Sequence, residues 1–193
     1  MTTGASSGGP KPGLWTRMSV SKGNLVQLAG LVLGALLMVI AANFRAAEVV
    51  RVVLMLGGFL IIYDCCHAIS HWVIGRLVGI RFRGYGVRGT DHPEAYPPGI
   101  RQLMSAMPFF TAMTQKESMS TASPTAKALM FAAGETGTTV ISLLAALYAW
   151  QSGIPGGGIL FWVMVVWNVV ATVATTVTPK GDYAKAIRAL RAG

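Results

Sequence analysis

Two histidines, His67 and His71, lie four residues apart in an otherwise apolar stretch of the chain, and Asp64 precedes them by about one helical turn. An α-helix advances about 100° per residue, so the three side chains would share one stripe about 60° wide. Two imidazoles with this spacing point at a common position and can supply part of a metal site. The alternative is that both histidines only form hydrogen bonds between packed helices.

A histidine pair alone does not complete such a site, because a catalytic zinc usually takes three protein ligands and a water. The other acids in or beside the apolar segments are Glu135 and Asp182. Glu135 lies near the start of an apolar segment, where a helix N-terminus or interfacial water can stabilise a carboxylate. Asp182 follows a Pro-Lys-Gly sequence and could simply cap a helix over residues 183–191. The residue types leave these alternatives open.

The elements that must carry these residues are membrane helices. Of the 193 residues 53% are apolar and 12% are charged, with a mean hydropathy of +0.55, which excludes an ordinary water-soluble domain. Four apolar segments are each long enough to cross a hydrocarbon core of about 30 Å. The sequence therefore predicts an all-α integral membrane protein, a bundle of four transmembrane helices over about residues 23–44, 50–80, 127–150 and 159–178.

The basic residues indicate the orientation of these helices. There are 16 Lys and Arg against seven acids, for a net charge of +9, and the basic residues lie outside the apolar segments, so loop topology explains them better than nucleic-acid binding. With the N-terminus inside, only Arg45 and Arg51 fall on the outer side. This bias predicts a protein of the cytoplasmic membrane with both termini cytoplasmic and with membrane lipids as its surroundings.

The two cysteines, Cys65 and Cys66, are adjacent. Their position excludes a disulfide-stapled scaffold and favours packing in the protein interior over metal ligation.

Three segments lie outside the predicted spans. Residues 1–22 form a polar leader that we expect to be disordered in the cytoplasm, and residues 183–191 form an amphipathic basic tail. The long connection, residues 81–126, is too polar to span and too long for a hairpin turn. Its first part, Ile80–Arg88, alternates bulky and basic residues and predicts a short cytoplasmic β-ribbon, followed by turn chemistry at Asp91–Glu94 that includes His92.

The segment from His67 to Arg83, HAISHWVIGRLVGIRFR, resembles the zinc-binding helix of the site-2 protease family of intramembrane metalloproteases. Both histidines, Gly75, the Arg76-Leu77 pair, Gly79 and the basic alternation that follows match that pattern. The resemblance implies that a later helix supplies an aspartate as the third zinc ligand, and Pro179–Asp182 is similar to that segment in place and order. A further point of similarity is Ala132–Gly134, which resembles a family element at the start of the third span. The resemblance covers roughly Val52 to Ala189.

The departures from the family pattern bear on catalysis. The glutamate that follows the first histidine in that family is Ala68 here, and Tyr183 stands where a glycine is usual. In a zinc peptidase that glutamate is the general base that takes the proton of the metal-bound water, a contribution of about 10²- to 10⁴-fold in rate. Asp64 is placed to orient an imidazole rather than to reach that water. Glu135 is the candidate that could substitute as the base.

Three functions follow from this pattern. The first is a site-2-protease-like metalloprotein with zinc held by His67, His71 and Asp182 but with a lost or disabled general base, either a natural pseudoprotease or an engineered Glu-to-Ala change. The second is an active intramembrane zinc endopeptidase that uses Glu135 as its base. The third is a non-metal membrane scaffold or ion-relay protein. A transmembrane segment of a substrate or partner protein is the expected binding partner for the first two, and nucleic acid is expected for none.

Overall fold

The computed structural model describes residues 15–45, 47–89 and 98–192, and these residues are mostly helical. In chain order the elements are β1 (Thr16–Met18), α1 (Val20–Asn43), α2 (Glu48–Leu77), β2 (Phe82–Arg88), α3 (Ile100–Ala106), β3 (Phe109–Thr114), α4 (Lys116–Thr121), α5 (Pro124–Gln151), α6 (Gly157–Val177) and α7 (Asp182–Arg191). Four of the helices, α1, α2, α5 and α6, are long and apolar enough to cross a membrane. Their ends lie within three residues of the predicted ones.

The long helices pack in a chain of neighbours, α1 on α2, α2 on α5 and α5 on α6. Small residues allow the closest approach between α1 and α2. A Cβ atom on either Gly34 or Gly58 would overlap the carbonyl oxygen of the other, so both positions require glycine. This use of glycine at a helix contact is typical of membrane helices, where packing replaces the hydrophobic effect as the driving force.

Two apolar clusters hold the fold at its two ends. The larger one joins α1, α2, α5, α6 and the turn between α5 and α6, and it contains Met38, Met55, Phe59, Ala146 and Leu160. The smaller one lies beneath the sheet and contains Ile80, Phe82, Ala126 and Met130. Since Met130 also contacts the predicted metal ligand His71 through its carbonyl group, the second cluster fixes the end of the bundle that carries the candidate site.

A three-stranded antiparallel sheet, in the order β1-β2-β3, covers that end. β2 forms where the alternating Ile80–Arg88 segment predicted a ribbon, and it pairs with β1 through Met18 and Tyr85 and with β3 through Arg88 and Phe109. The structure differs from the sequence-based expectation in two ways. β1 lies within the leader that was expected to be disordered, because its backbone pairs with β2, and the long connection contributes β3 and two short helices as well as the ribbon.

The remaining expectations for the non-spanning segments fall partly outside the described residues. Residues 1–14 of the leader and the Asp91–Glu94 turn with His92 are among these. The basic tail is helix α7, which packs on α5 and α6 through its N-terminal half while Ile187, Arg188, Leu190 and Arg191 are exposed. Its first residue is Asp182, so the packing of α7 decides where that carboxylate lies.

Candidate metal centre

Two helices carry the three side chains that were predicted to be metal ligands. His67 and His71 lie in the C-terminal half of α2, and Asp182 is the first residue of α7. The chain reverses between α6 and α7 in a tight turn at Gly181, where a Cβ atom would overlap the carbonyl oxygen of Thr175. Tyr183 then anchors α7 to α5 through a 3.0 Å hydrogen bond between its hydroxyl group and that of Thr136. The turn and this anchor bring Asp182 back to α2.

His67, His71 and Asp182 converge on one point. The two Nε2 atoms are 3.2 Å apart, and Asp182 Oδ2 lies 3.1 Å from His71 Nε2 and 3.3 Å from His67 Nε2. The three side chains form a group that could hold a metal ion. Asp182 is therefore more than a cap for its own helix: its carboxylate faces the histidine pair across the α2–α7 contact.

The other nitrogen of each ring identifies which tautomer is present. His71 Nδ1 lies 2.7 Å from the backbone carbonyl oxygen of Met130, which can only accept, so Nδ1 carries the hydrogen. His67 Nδ1 lies 3.1 Å from Thr138 Oγ1, and that hydroxyl already donates to the carbonyl oxygen of Gly134 at 2.9 Å. His67 Nδ1 is thus a donor as well. In the neutral rings both Nε2 lone pairs point at each other and at Asp182 Oδ2.

Three electron-pair donors at these distances repel one another unless a cation lies among them. The cation can be a proton on an imidazole or a metal ion. Side-chain exposure is 33% for His67 and 14% for Asp182, so bulk water screens this repulsion only partly. The arrangement is therefore suited to binding a cation.

Glycine at position 134 makes room for the imidazoles. A Cβ atom on Gly134 would overlap Nε2 of His71, and Gly134 is the α5 residue whose carbonyl group also accepts from Thr138. One turn after His71 on α2, Gly75 lies against Phe82 of β2 and Met130 of α5, so α2, α5 and the sheet pack closely at this end of the bundle. The side chain of His71 is only 11% exposed.

The second oxygen of Asp182 is occupied by a cation of the chain itself. Lys185, one turn later on α7, places its Nζ 2.7 Å from Asp182 Oδ1. Burial alone raises the pKa of the Asp182 carboxyl, but hydrogen bonds from His67 and His71, which form when an Nε2 atom carries a proton, and the Lys185 ammonium together hold that pKa well below its ordinary value. Asp182 is therefore ionised at neutral pH, as a metal ligand must be.

The three ligand atoms open onto a cavity of about 230 Å³ between α2, α5, α7 and the sheet. β3 contributes Phe110, Thr111 and Ala112 to its wall, and α5 contributes Met130 and Phe131. No motif in the sequence placed β3 beside the histidines, because its residues approach them only through pairing with β2. The cavity gives the candidate site access for a small molecule or an extended segment of chain.

Other residues of interest in the sequence analysis do not join the group. Asp64 makes no hydrogen bond to any residue in the described ranges, and the imidazoles are oriented by Thr138 and by the carbonyl group of Met130 instead. The orienting role expected for Asp64 stays a prediction that no hydrogen bond among the described residues supports. Cys65 and Cys66 are buried in helix contacts, and the Sγ atom of Cys66 lies 3.3 Å from the carbonyl oxygen of Tyr63 and 3.8 Å from Thr138 Oγ1.

Ala68 and Glu135 bear on catalysis rather than on binding. Ala68 is completely buried beside His67 and offers no proton-accepting group. Glu135, on α5, is half-buried and interacts electrostatically with both histidines, Asp182 and Lys185, but it forms no hydrogen bond with any described residue.

Comparisons with protein-family models, with curated proteins and with solved structures give no match.

Proposed function

We propose that this chain is a membrane-embedded zinc protein of the site-2 protease type that lacks the general base of an active peptidase. The observation that carries the proposal is the convergence of two imidazole Nε2 lone pairs and an ionised carboxylate oxygen within 3.1–3.3 Å of one another. The hydrogen-bonded Nδ1 atoms support it, because they leave both Nε2 atoms free to ligate a metal.

The donor set and its spacing fit zinc. Two imidazole nitrogens and one carboxylate oxygen form a common protein ligand set of catalytic zinc, with an open fourth position. Bonds of about 2.0–2.1 Å in a tetrahedral site place neighbouring ligand atoms roughly 3.3 Å apart. The observed separations of 3.1–3.3 Å match the edges of such a tetrahedron, and the cavity beside Phe110 and Phe131 lies next to the group.

Catalysis by this site would depend on residues that can move a proton. A zinc ion bound there supplies Lewis acidity towards a carbonyl oxygen and acidifies a water molecule. In the described part of the chain, Ala68 stands where the resemblance places the proton acceptor, and it cannot take a proton. We therefore infer that the protein binds zinc and a membrane segment but cleaves peptide bonds very slowly, as a pseudoprotease, whether Ala68 is natural or engineered.

A second function is favoured by the position of Glu135. Its carboxylate interacts electrostatically with both histidines and with Asp182, which makes Glu135 a candidate for the base. In that case the protein is an active intramembrane endopeptidase. Activity that depends on Glu135 would distinguish this function from the pseudoprotease.

The apolar helices and the distribution of Lys and Arg support a location in the cytoplasmic membrane. Four helices could cross a membrane, and with both termini in the cytoplasm 14 of the 16 Lys and Arg residues lie on the inner side. His67, His71 and Asp182 lie at the end of the bundle that carries the sheet and α7, and we place that end at the cytoplasmic face. A transmembrane segment of a substrate or partner protein would approach the cavity from there.

Zinc stoichiometry after dialysis of the detergent-purified protein against a buffered zinc solution tests the proposal. We expect about one zinc per chain, reduced at least tenfold by Asp182→Asn, because the carboxylate is one of three protein ligands. Asp64→Asn is the matched control, since it also removes an acid near His67 but no hydrogen bond of the group, and it should retain the zinc. Full retention of zinc by Asp182→Asn would show that the metal is not bound at this group and would overturn the proposal. No zinc in the unmodified protein would leave the non-metal scaffold or ion-relay function.

A further inference from the structure

We propose that Lys185 is a built-in competitor of the metal ion: its ammonium group neutralises Asp182 when no metal is bound and weakens the affinity of the site when one is. The inference rests on the proposed metal site and adds to it a residue that sets how tightly the metal is held. The consequence is a site that exchanges its metal readily, in contrast to a closed structural zinc site.

The geometry makes Lys185 part of the group, although 37% of its side chain is exposed. Its Nζ lies 2.7 Å from Asp182 Oδ1, and the other oxygen of the same carboxylate faces the two histidines. Lys185 lines the same cavity as His67 and His71, and its Nζ lies 5.8 Å from the centre of the Phe131 ring. Both residues sit on the first turn of α7, three positions apart, so the pair forms within one rigid element.

The positive charge of Lys185 decides whether this residue weakens or strengthens metal binding. Without a metal, the Asp182 carboxylate and the Lys185 ammonium compensate each other. A divalent ion at the ligand atoms would lie one carboxylate group away from the ammonium, in a place where Asp182 is only 14% exposed and water screens poorly. The carboxylate would then interact with two cations, the metal ion and the Lys185 ammonium, and these two cations would repel each other.

Lys185 also strengthens metal binding to some extent, because it holds the Asp182 carboxylate with Oδ2 towards the histidines. This gain in affinity from orientation is smaller than the loss from repulsion. Asp182 has few torsions to order, and its position is already determined by the Gly181 turn and by the Tyr183 anchor on α5. We therefore expect repulsion to outweigh orientation.

The test is the zinc dissociation constant of the detergent-purified full chain, measured by competition with a chromophoric chelator. Lys185→Met keeps the length of the side chain and removes its charge, and we expect it to bind zinc at least tenfold more tightly, equivalent to about 1.4 kcal/mol. Lys185→Arg keeps the charge and should stay within about threefold of the unmodified protein. Lys180→Met is the matched control, because it removes an exposed basic residue nearby and should leave the affinity unchanged.

The outcomes separate this inference from the proposed function. Tighter zinc binding by Lys185→Met than by Lys185→Arg supports the inference. The same holds if Lys185→Met is the one protein of the four that binds zinc measurably. Equal or weaker binding by Lys185→Met, with zinc still bound by the unmodified protein, overturns the inference and leaves the metal site in place. No zinc binding by any of the four proteins, with unchanged size-exclusion profiles, overturns both.

Discussion

The Nε2 atoms of His67 and His71 face each other at 3.2 Å, and each ring is held in that orientation by a hydrogen bond at its other nitrogen. The planes of the two rings are nearly perpendicular, at 84°, so the edge of one ring points at the face of the other. Both partners of the Nδ1 atoms come from α5. The α2–α5 contact thus arranges the histidine pair before any ion binds, which lowers the cost of ordering the ligands.

Thr138 should control zinc affinity although it does not contact the metal position. Thr138→Val keeps the shape of the side chain but removes the oxygen that accepts from His67 Nδ1, and we expect zinc affinity to fall by about 10- to 100-fold. Thr138→Ser retains the hydroxyl group and should retain most of the affinity. Thr139→Val, the same change at the adjacent residue, serves as the control. A Thr138→Val protein with unchanged affinity would show that this hydrogen bond does not orient the ligand.

Gly134 should be intolerant of any side chain. A Cβ atom there would overlap Nε2 of His71, so Gly134→Ala must displace the ring from its position beside His67 and Asp182. We expect at least a tenfold loss of zinc affinity and a loss of stability of about 1–3 kcal/mol from overpacking. Gly57→Ala, on α2, meets no atom within 4 Å and should change neither quantity. Zinc titration and thermal unfolding followed by size-exclusion chromatography would measure both effects.

The spacing of His67 and His71 and the hydropathy of the four long helices could be predicted from the sequence because both depend on local periodicity. The residue types left Asp182 open between a third ligand and a helix cap, and only the resemblance favoured the ligand, since the approach of Asp182 to α2 depends on the Gly181 turn and on the packing of α7. Thr138 and the Met130 carbonyl group were missed. Neither a threonine nor a backbone carbonyl stands out in an apolar helix, and their role follows from which face of α5 meets α2. No hydrogen bond of the described residues supports the orienting role expected for Asp64, because a shared stripe on one helix does not specify which neighbouring helix supplies the partners.

Orientation in the membrane is the third prediction, and it follows from the distribution of Lys and Arg. A cysteine introduced at Gln151, the exposed last residue of α5, should react with a membrane-impermeant maleimide in intact cells. A cysteine at Lys116, at the start of α4 on the opposite end of the bundle, should react only after the membrane is permeabilised. Background labelling of the native Cys65 and Cys66 should be low because both are buried. The reverse pattern would contradict a cytoplasmic position of the candidate site.

The last prediction concerns the proton acceptor that Ala68 cannot provide. Ala68→Glu restores a carboxylate beside His67, where the site-2 protease resemblance places the base, and Ala68→Gln is a control of equal size without basicity. Because Ala68 is completely buried, both changes must displace neighbouring atoms, at a cost of about 1–3 kcal/mol. Zinc content and unfolding temperature should therefore be measured first, so that a misfolded variant is not mistaken for an inactive one.

For folded variants, we expect Ala68→Glu to cleave a membrane-embedded substrate about 100-fold faster, or more, than either Ala68→Gln or the unmodified protein. Glu135→Gln should change these rates little, because Glu135 forms no hydrogen bond with the described residues of the group. If instead the unmodified protein already cleaves at a rate that Ala68→Glu does not improve, and Glu135→Gln abolishes that cleavage, Glu135 is the base. The protein is then an active protease, since a proton acceptor on α5 would have replaced the one missing from α2.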